Sequence, residues 1–127
     1  MAYVLDTSAI VAYLLDEPEA DRIEALLRVP ERLIIPFIAL MEVRYRLLRD
    51  RPRDLVDEAL RLVDAWPAPV VESFPEWGAA AADVKARGGL SLADAWIASL
   101  ALLHDAELLH KDPEFDRVEG LKSARLR

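Results

Sequence analysis

The chain has 127 residues, the size of a single domain, and 54% hydrophobic against 31% charged residues gives it enough apolar material for a core. It contains no cysteine and only His104 and His110, which excludes disulfide frameworks, cysteine zinc sites, iron–sulfur clusters, thiol nucleophiles and His-rich metal sites. With 16 basic and 23 acidic side chains the net charge is −7, the opposite of the basic excess carried by a simple polyanion binder. The longest uncharged runs, Thr7–Leu15, Leu33–Met41 and Ala95–Leu103, reach about half the ~20 residues a membrane helix needs. Asp6 interrupts the first apolar stretch, and no basic segment precedes it, so a secretory signal is not expected. The expectation is one soluble, cytoplasmic domain spanning residues 1–127.

Ala2–Leu5 is a short apolar run ending in Asp6-Thr7-Ser8, which reads as a strand followed by a helix cap. Ala9–Leu15 is then the first helix and Glu19–Leu27 the second, after Pro18. A strand over Leu33–Ile35 leads through Pro36 into a helix over Phe37–Arg49, and Pro52 opens a further helix to about Val63. Val70-Val71 is a brief strand, Glu76–Arg87 is helical, and Gly88-Gly89 stops it. Ser91 caps an apolar helix to about His104; strands follow at Glu107–His110 and near Ser123–Leu126. Strands alternating with helices imply an α/β fold with a mostly parallel sheet covered on both faces.

Single acids stand in apolar surroundings at three places. Asp6 is the only charged side chain in Met1–Leu15, Glu42 the only one in Leu33–Val43, and Asp94 the only one in Leu90–Leu103. An ionised carboxylate in an apolar segment is costly unless it is paired or bound to a cation. Each has an ordinary explanation: Asp6 caps the first helix, Asp94 answers Ser91 in a capping box, and Glu42 pairs with Arg46 one turn later. Taken together the ordinary explanations weaken. In an open parallel sheet, ligands bind beyond the carboxyl ends of the strands. Asp6 follows the first strand and Asp112 the Glu107–His110 strand, while Asp94 and Glu42 lie on helices able to face the same crevice. Four carboxylates without cysteine or a histidine pair form an oxygen-only donor set, which selects Mg²⁺ or Mn²⁺.

Val4-Leu5-Asp6-Thr7-Ser8-Ala9, the helical Glu42, Leu92-Ala93-Asp94-Ala95-Trp96-Ile97-Ala98 and Lys111-Asp112-Pro113-Glu114-Phe115 together resemble the PIN domain, most closely the VapC ribonuclease toxins of toxin–antitoxin pairs. The resemblance covers essentially the whole chain in order. It implies a three-layer α/β/α fold with a short, mostly parallel central sheet, and a Mg²⁺- or Mn²⁺-dependent endoribonuclease. It also implies a homodimer silenced by a cognate VapB-like antitoxin. Asp6, Glu42, Asp94 and Asp112 match the four acids of the family, Ser8 a hydroxyl position beside the first, and Asp116 an additional acid of some members. His110 departs from the pattern, since the family often carries Thr or Ser there; it either contacts the site, meets a phosphate, or ends its strand facing solvent, the last being the expected role of a lone histidine near a loop.

Arg46 and Arg49 share the helix face of Glu42 within the run Arg44, Arg46, Arg49, Arg51, Arg53. They either grip RNA phosphates or form a solvated helix end, and Lys111 beside Asp112 presents the same alternatives. Among the three tryptophans, Trp96 lies in an apolar helix and is expected in the core rather than against a base. A haloacid-dehalogenase-like phosphatase needs a second Asp where Ser8 stands, and a receiver domain needs paired acids after its first strand, which are absent. The glycines form neither a P-loop nor a Rossmann turn. The rival from another class is a PIN-like interaction module that no longer catalyses.

Overall fold

The computed structural model describes residues 2–29 and 32–126. Strands β1 (Ala2–Leu5), β2 (Arg32–Pro36), β3 (Val70–Val71), β4 (Glu107–His110) and β5 (Lys122–Arg125) form one parallel sheet in the order β3-β2-β1-β4-β5. Helices α1 (Thr7–Leu14), α2 (Ala20–Arg28), α3 (Phe37–Leu48), α4 (Arg53–Asp64), α5 (Pro75–Ala86) and α6 (Leu92–Leu103) flank it, giving the expected α/β/α architecture. Central-strand residues Val4, Leu5, Leu108 and Leu109 have no exposed surface, as consecutive apolar side chains require when both faces of a sheet are covered.

The strand order decides where a ligand site lies. From β1 the chain moves outward to β2 and β3, then returns through α5 and α6 to lay β4 on the other side of β1. The direction of winding therefore reverses between β1 and β4. There the loops leaving the two strands part, and a crevice opens at their carboxyl ends. The sheet ends on short margins. One is the two-residue β3, preceded by Pro67 and Pro69; the other is β5, with exposed Lys122 and Arg125.

Element boundaries match the sequence expectations to within a residue or two. The first helix begins at Thr7 because the Asp6 side chain accepts a hydrogen bond from the Ser8 amide and so caps it. β2 runs on to Pro36, which then serves as the cap residue of α3. A short 3₁₀ helix, η1 (Pro113–Arg117), was not expected; Asp112 caps it and Pro113 occupies its first turn, the arrangement that favours a helix start.

An aromatic wedge fixes the helices that carry the acids. Trp77 of α5 is fully buried and donates Nε1–H to the Trp96 carbonyl at 2.9 Å and to Ser99 Oγ at 3.0 Å. Its ring meets Trp96 edge-on at 4.9 Å, and Phe37 of α3 stands edge-on to both indoles at 5.4 Å. Trp96 is thus packing material, as its helix context implies. Phe37 and Glu42 are on one helix, and Trp96 and Asp94 on another, so this cluster sets how the two acids face each other. Replacing Trp77 with Ala is expected to cost about 3–5 kcal/mol of stability. Trp77→Phe should cost less but still about 1–3 kcal/mol, since Ser99 and a carbonyl lose a buried donor. Urea denaturation measures both; a Trp77→Ala midpoint equal to wild type would remove the wedge from this account.

Candidate metal centre

Asp6 sits at the end of β1, only 3% exposed. Its amide donates to the Leu109 carbonyl on β4 at 3.0 Å, which binds the two strand ends at the point of reversal. Oδ2 of its carboxylate accepts from the Ser8 amide at 3.1 Å and from the Ser8 hydroxyl. Ser8 Oγ in turn accepts from the Lys111 amide at 3.0 Å, so a single hydroxyl ties the first acid to the loop after β4. Oδ1 of Asp6 is buried with no hydrogen-bond partner. The cap and the isolated acid are therefore the same residue: one oxygen serves the helix, and the other is left for something else.

Glu42, 6% exposed, lies on the inward face of α3. Thr7 Oγ1 donates to its Oε1 at 2.7 Å, the Tyr45 hydroxyl donates to Oε2 at 3.3 Å, and Arg46 approaches Oε2 at 3.7 Å. The pairing with Arg46 is real, but it is the outer of several contacts rather than a surface ion pair. Thr7 was not singled out from the sequence. As a hydroxyl between two other cap-forming residues it reads as helix-start chemistry, although it is fully buried and bonded to an acid 35 positions away.

Asp94 stands in the first turn of α6, where Ser91 Oγ accepts from its amide at 3.2 Å. Asp112 caps η1 by accepting from the Glu114 amide at 2.9 Å. Asp94, Asp112 and Glu114 each offer a carboxylate oxygen, all within 4.8 Å of one another. Glu114 is thus a ligand candidate that sequence reasoning missed, and Asp116, the additional acid suggested by resemblance, is not in that group. The negative charges of Asp6, Glu42 and Asp112 all act on Asp94, so the acids from four separate elements converge on one crevice.

His110 corrects an expectation. It is completely buried, not solvent-facing, because β5 pairs outside β4 and Phe115 meets its ring at 5.0 Å. Its Nδ1 accepts from the Asp112 amide at 3.1 Å, so it holds the loop of the last acid and cannot also reach a phosphate at the surface. Burial lowers its pKa, which keeps it in the neutral form that can accept. Lys111 is also engaged: Nζ pairs with Glu17 at 2.8 Å and Glu19 at 3.0 Å, and these bonds raise its pKa and lower that of Glu19. Of the arginine run, Arg44 pairs with Asp57 and Arg51 with Asp50. Arg49 lies over the Tyr45 ring at 5.1 Å, leaving a stripe of Glu42, Tyr45, Arg46 and Arg49 along one face of α3.

The donor set fits a hard divalent cation. It is all oxygen, and it includes a buried carboxylate oxygen that no protein group satisfies. Burial lifts the Asp6 carboxyl to about 6, helped by Glu42 and opposed by the two Ser8 hydrogen bonds. Asp94 rises to about 7, first through burial and then through the charges of Asp6, Glu42 and Asp112. Both carboxyls therefore bind protons more tightly in the folded chain than in the unfolded one. Their contribution to stability is complete below the ordinary value of 3.8 and is lost as pH climbs through 6 and 7. Thermal melts without divalent cation should accordingly give a Tm that falls between about pH 5 and about pH 8, and Asp94→Asn should raise Tm at the upper end and flatten the slope. A Tm that rises over this window, or a clear loss of Tm in Asp94→Asn, would contradict a crowded acidic crevice.

The sequence matches the PIN domain family over residues 3–121. No curated protein matches it in sequence. Among solved structures, VapBC2 from Rickettsia felis bound to a promoter DNA fragment is similar with a TM-score of 0.84 and 18% identity, covering 100% of both chains. VapBC-1 from nontypeable Haemophilus influenzae is similar with a TM-score of 0.70 and 26% identity over 98% of each chain. VapC20 from Mycobacterium tuberculosis, a Sarcin-Ricin loop cleaving toxin, gives a TM-score of 0.74 and 15% identity over 91% of this chain and 93% of that one. With its acids gathered at the sheet's reversal point and the family match running over nearly its whole length, the chain belongs to the PIN domain family.

Proposed function

We propose that this protein is a metal-dependent endoribonuclease of the VapC type, the toxin of a toxin–antitoxin pair, which hydrolyses RNA phosphodiesters with Mg²⁺ or Mn²⁺. The observation that carries the reading is the buried, unpartnered Oδ1 of Asp6 at the centre of converging acids, a position that is unfavourable without a cation. The comparison with a VapC toxin that cleaves the Sarcin-Ricin loop supports RNA as the substrate.

Asp6, Glu42, Asp94 and Asp112 would hold the cation, with Glu114 closing the group on the η1 side. Held by these acids, a divalent ion would supply a water of lowered pKa and positive charge to offset the negative charge developing at phosphorus. The protein's own residues prepare the crevice for it. Ser8 fixes Oδ2 of Asp6 and so aims Oδ1 outward from the helix cap. Thr7 and Tyr45 each donate to a different oxygen of Glu42, which sets the plane of its carboxylate. His110 holds the Asp112 amide, and with it the turn that presents Asp112 and Glu114 together. With its pKa near 7, Asp94 is the carboxyl best placed to keep a proton while the cation is away and to release it on binding. Attack of water at phosphorus with cleavage of the P–O3′ bond would leave a 5′-phosphate and, once O3′ takes up a proton, a 3′-hydroxyl. Arg46 and Arg49, exposed on the stripe that leads away from Glu42, are candidates to meet the strand's phosphates.

The VapBC assemblies among the relatives support a VapB-like antitoxin as partner, and the resemblance to VapC toxins implies a second copy of this chain. Leu14, Leu15, Met41 and Tyr45, all partly or fully exposed, would provide apolar walls for an antitoxin segment that inserts an arginine among the acids.

RNA cleavage by purified protein should require Mg²⁺ or Mn²⁺ and stop in EDTA. Asp6→Asn, Glu42→Gln, Asp94→Asn and Asp112→Asn should each lower the rate at least ~100-fold while the fold persists. Cleavage that continues in EDTA overturns the mechanism. Folded wild type that never cleaves RNA with either metal would favour the silent interaction module instead. An arginine-bearing antitoxin peptide should weaken Mn²⁺ binding, and should itself bind less well at high salt; unchanged Mn²⁺ affinity in an inhibited complex would exclude direct insertion.

A further inference from the structure

A second concavity lies between the end of α5 and the end of η1. Val84 and Leu90, 6% and 5% exposed, form its floor, Val118 forms a wall, and Arg87 and Arg117 stand on its rim. Its volume is about 130 Å³. That is close to the volume, about 150 Å³, of an apolar cavity that takes up benzene, the scale of a single six-membered ring. Neither arginine forms an ion pair among the described residues. Glu119 also lines the cavity, so two guanidinium groups face one carboxylate, a local positive excess in a chain of net charge −7.

The cavity is built into the fold. Lys85 Nζ donates to the Leu90 carbonyl at 2.9 Å, which pulls the loop back onto the end of α5. Gly88 and Gly89 make that return with φ of +84° and +91°, a conformation other residues adopt only under strain. A Cβ at Gly89 would lie 3.8 Å from Arg117 Cδ, so the turn runs along the Arg117 stem.

Its position relative to the acids is the decisive feature. Leu90 immediately precedes Ser91, the cap of the helix that carries Asp94. Arg117 is the last residue of η1, whose cap is Asp112 and whose first turn holds Glu114. Over its five residues, at about 2 Å each, η1 covers about 10 Å. That distance is two or three nucleotide steps at the about 3.4 Å per nucleotide of a stacked strand.

We propose that this cavity is a subsite for an RNA nucleotide two or three positions from the cut bond, with its base on Val84, Leu90 and Val118 and its phosphate held by Arg87 and Arg117. The size favours a pyrimidine, and Glu119 supplies an acceptor for a base N–H. The position relative to the cut rests on the ribonuclease reading; the RNA contact itself does not.

Arg87→Gln and Arg117→Gln test it, since both side chains are exposed and neither is among the acids. A labelled single-stranded RNA oligonucleotide is titrated in EDTA at several salt concentrations, and cleavage of the same oligonucleotide and of a dinucleotide is followed with Mn²⁺. Each variant should bind the oligonucleotide about fivefold to tenfold more weakly and lower the slope of log K against log salt by about 0.7. Each should raise KM for the oligonucleotide and leave dinucleotide cleavage unchanged. Wild-type binding and wild-type salt slope in both variants would overturn the subsite, whatever the protein does to RNA. Equal losses on oligonucleotide and dinucleotide would overturn its position relative to the cut. A wild type that does not cleave, with binding still lost in the variants, would keep the cavity as an RNA site and dismiss the nuclease reading alone.

Discussion

The Asp6 carboxylate is sealed at the end of the central strand with one oxygen hydrogen-bonded and the other bare, and the surrounding structure is organised around tolerating it. Burying such a group is unfavourable, and setting Glu42 and Asp94 near it adds repulsion. The fold resists that repulsion mechanically. The Leu109 carbonyl holds the Asp6 backbone, the Ser8 hydroxyl bridges to the Lys111 amide, and the Phe37–Trp77–Trp96 wedge keeps α3 and α6 from swinging apart. Stability is thereby traded for a concentrated negative field in a crevice of low dielectric, the setting in which a cation is held most tightly.

The net charge of −7 and the proposal of an RNA substrate become compatible once charge is considered locally. Several cations that looked available in the sequence are bound to protein acids: Lys111 to Glu17 and Glu19, Arg44 to Asp57. Lys111 has an architectural role, pinning the loop after β4 to the segment between α1 and α2. Arg49, Arg87 and Arg117 form no ion pair among the described residues, and Arg46 pairs only with Glu42 of the crevice itself.

The convergence of Asp6, Glu42 and Asp94 was legible in the sequence because each is a lone charge in an apolar run, a pattern that burial makes expensive unless the charges share a common partner. Asp112 was legible from its place after a strand. Glu114 was not, since it stands among other charged residues where nothing distinguishes it, and the 3₁₀ turn that brings it beside Asp94 is too short to leave a periodic signal. Thr7 was hidden by its resemblance to a plain cap residue. The reading of His110 failed for a topological reason: whether the end of β4 is open depends on β5, a strand of Lys-Ser-Ala-Arg with no apolar pattern, which nonetheless pairs along the full length of β4. Strand order is a property of the whole chain, and no local pattern around residue 110 encodes it.

The margins of the sheet have a consequence for how other chains can engage this protein. Strand addition, in which a peptide extends a sheet by backbone hydrogen bonding, needs a long, flat, uncharged edge. Here one edge is two residues long and follows two prolines, and the other carries Lys122 and Arg125, with Lys122 paired to Asp105. Both margins oppose edge-to-edge growth into fibrils as well as β-augmentation by a ligand. What the fold presents for recognition is therefore helix faces and a crevice, surfaces from which a bound segment can be released without unzipping a ladder.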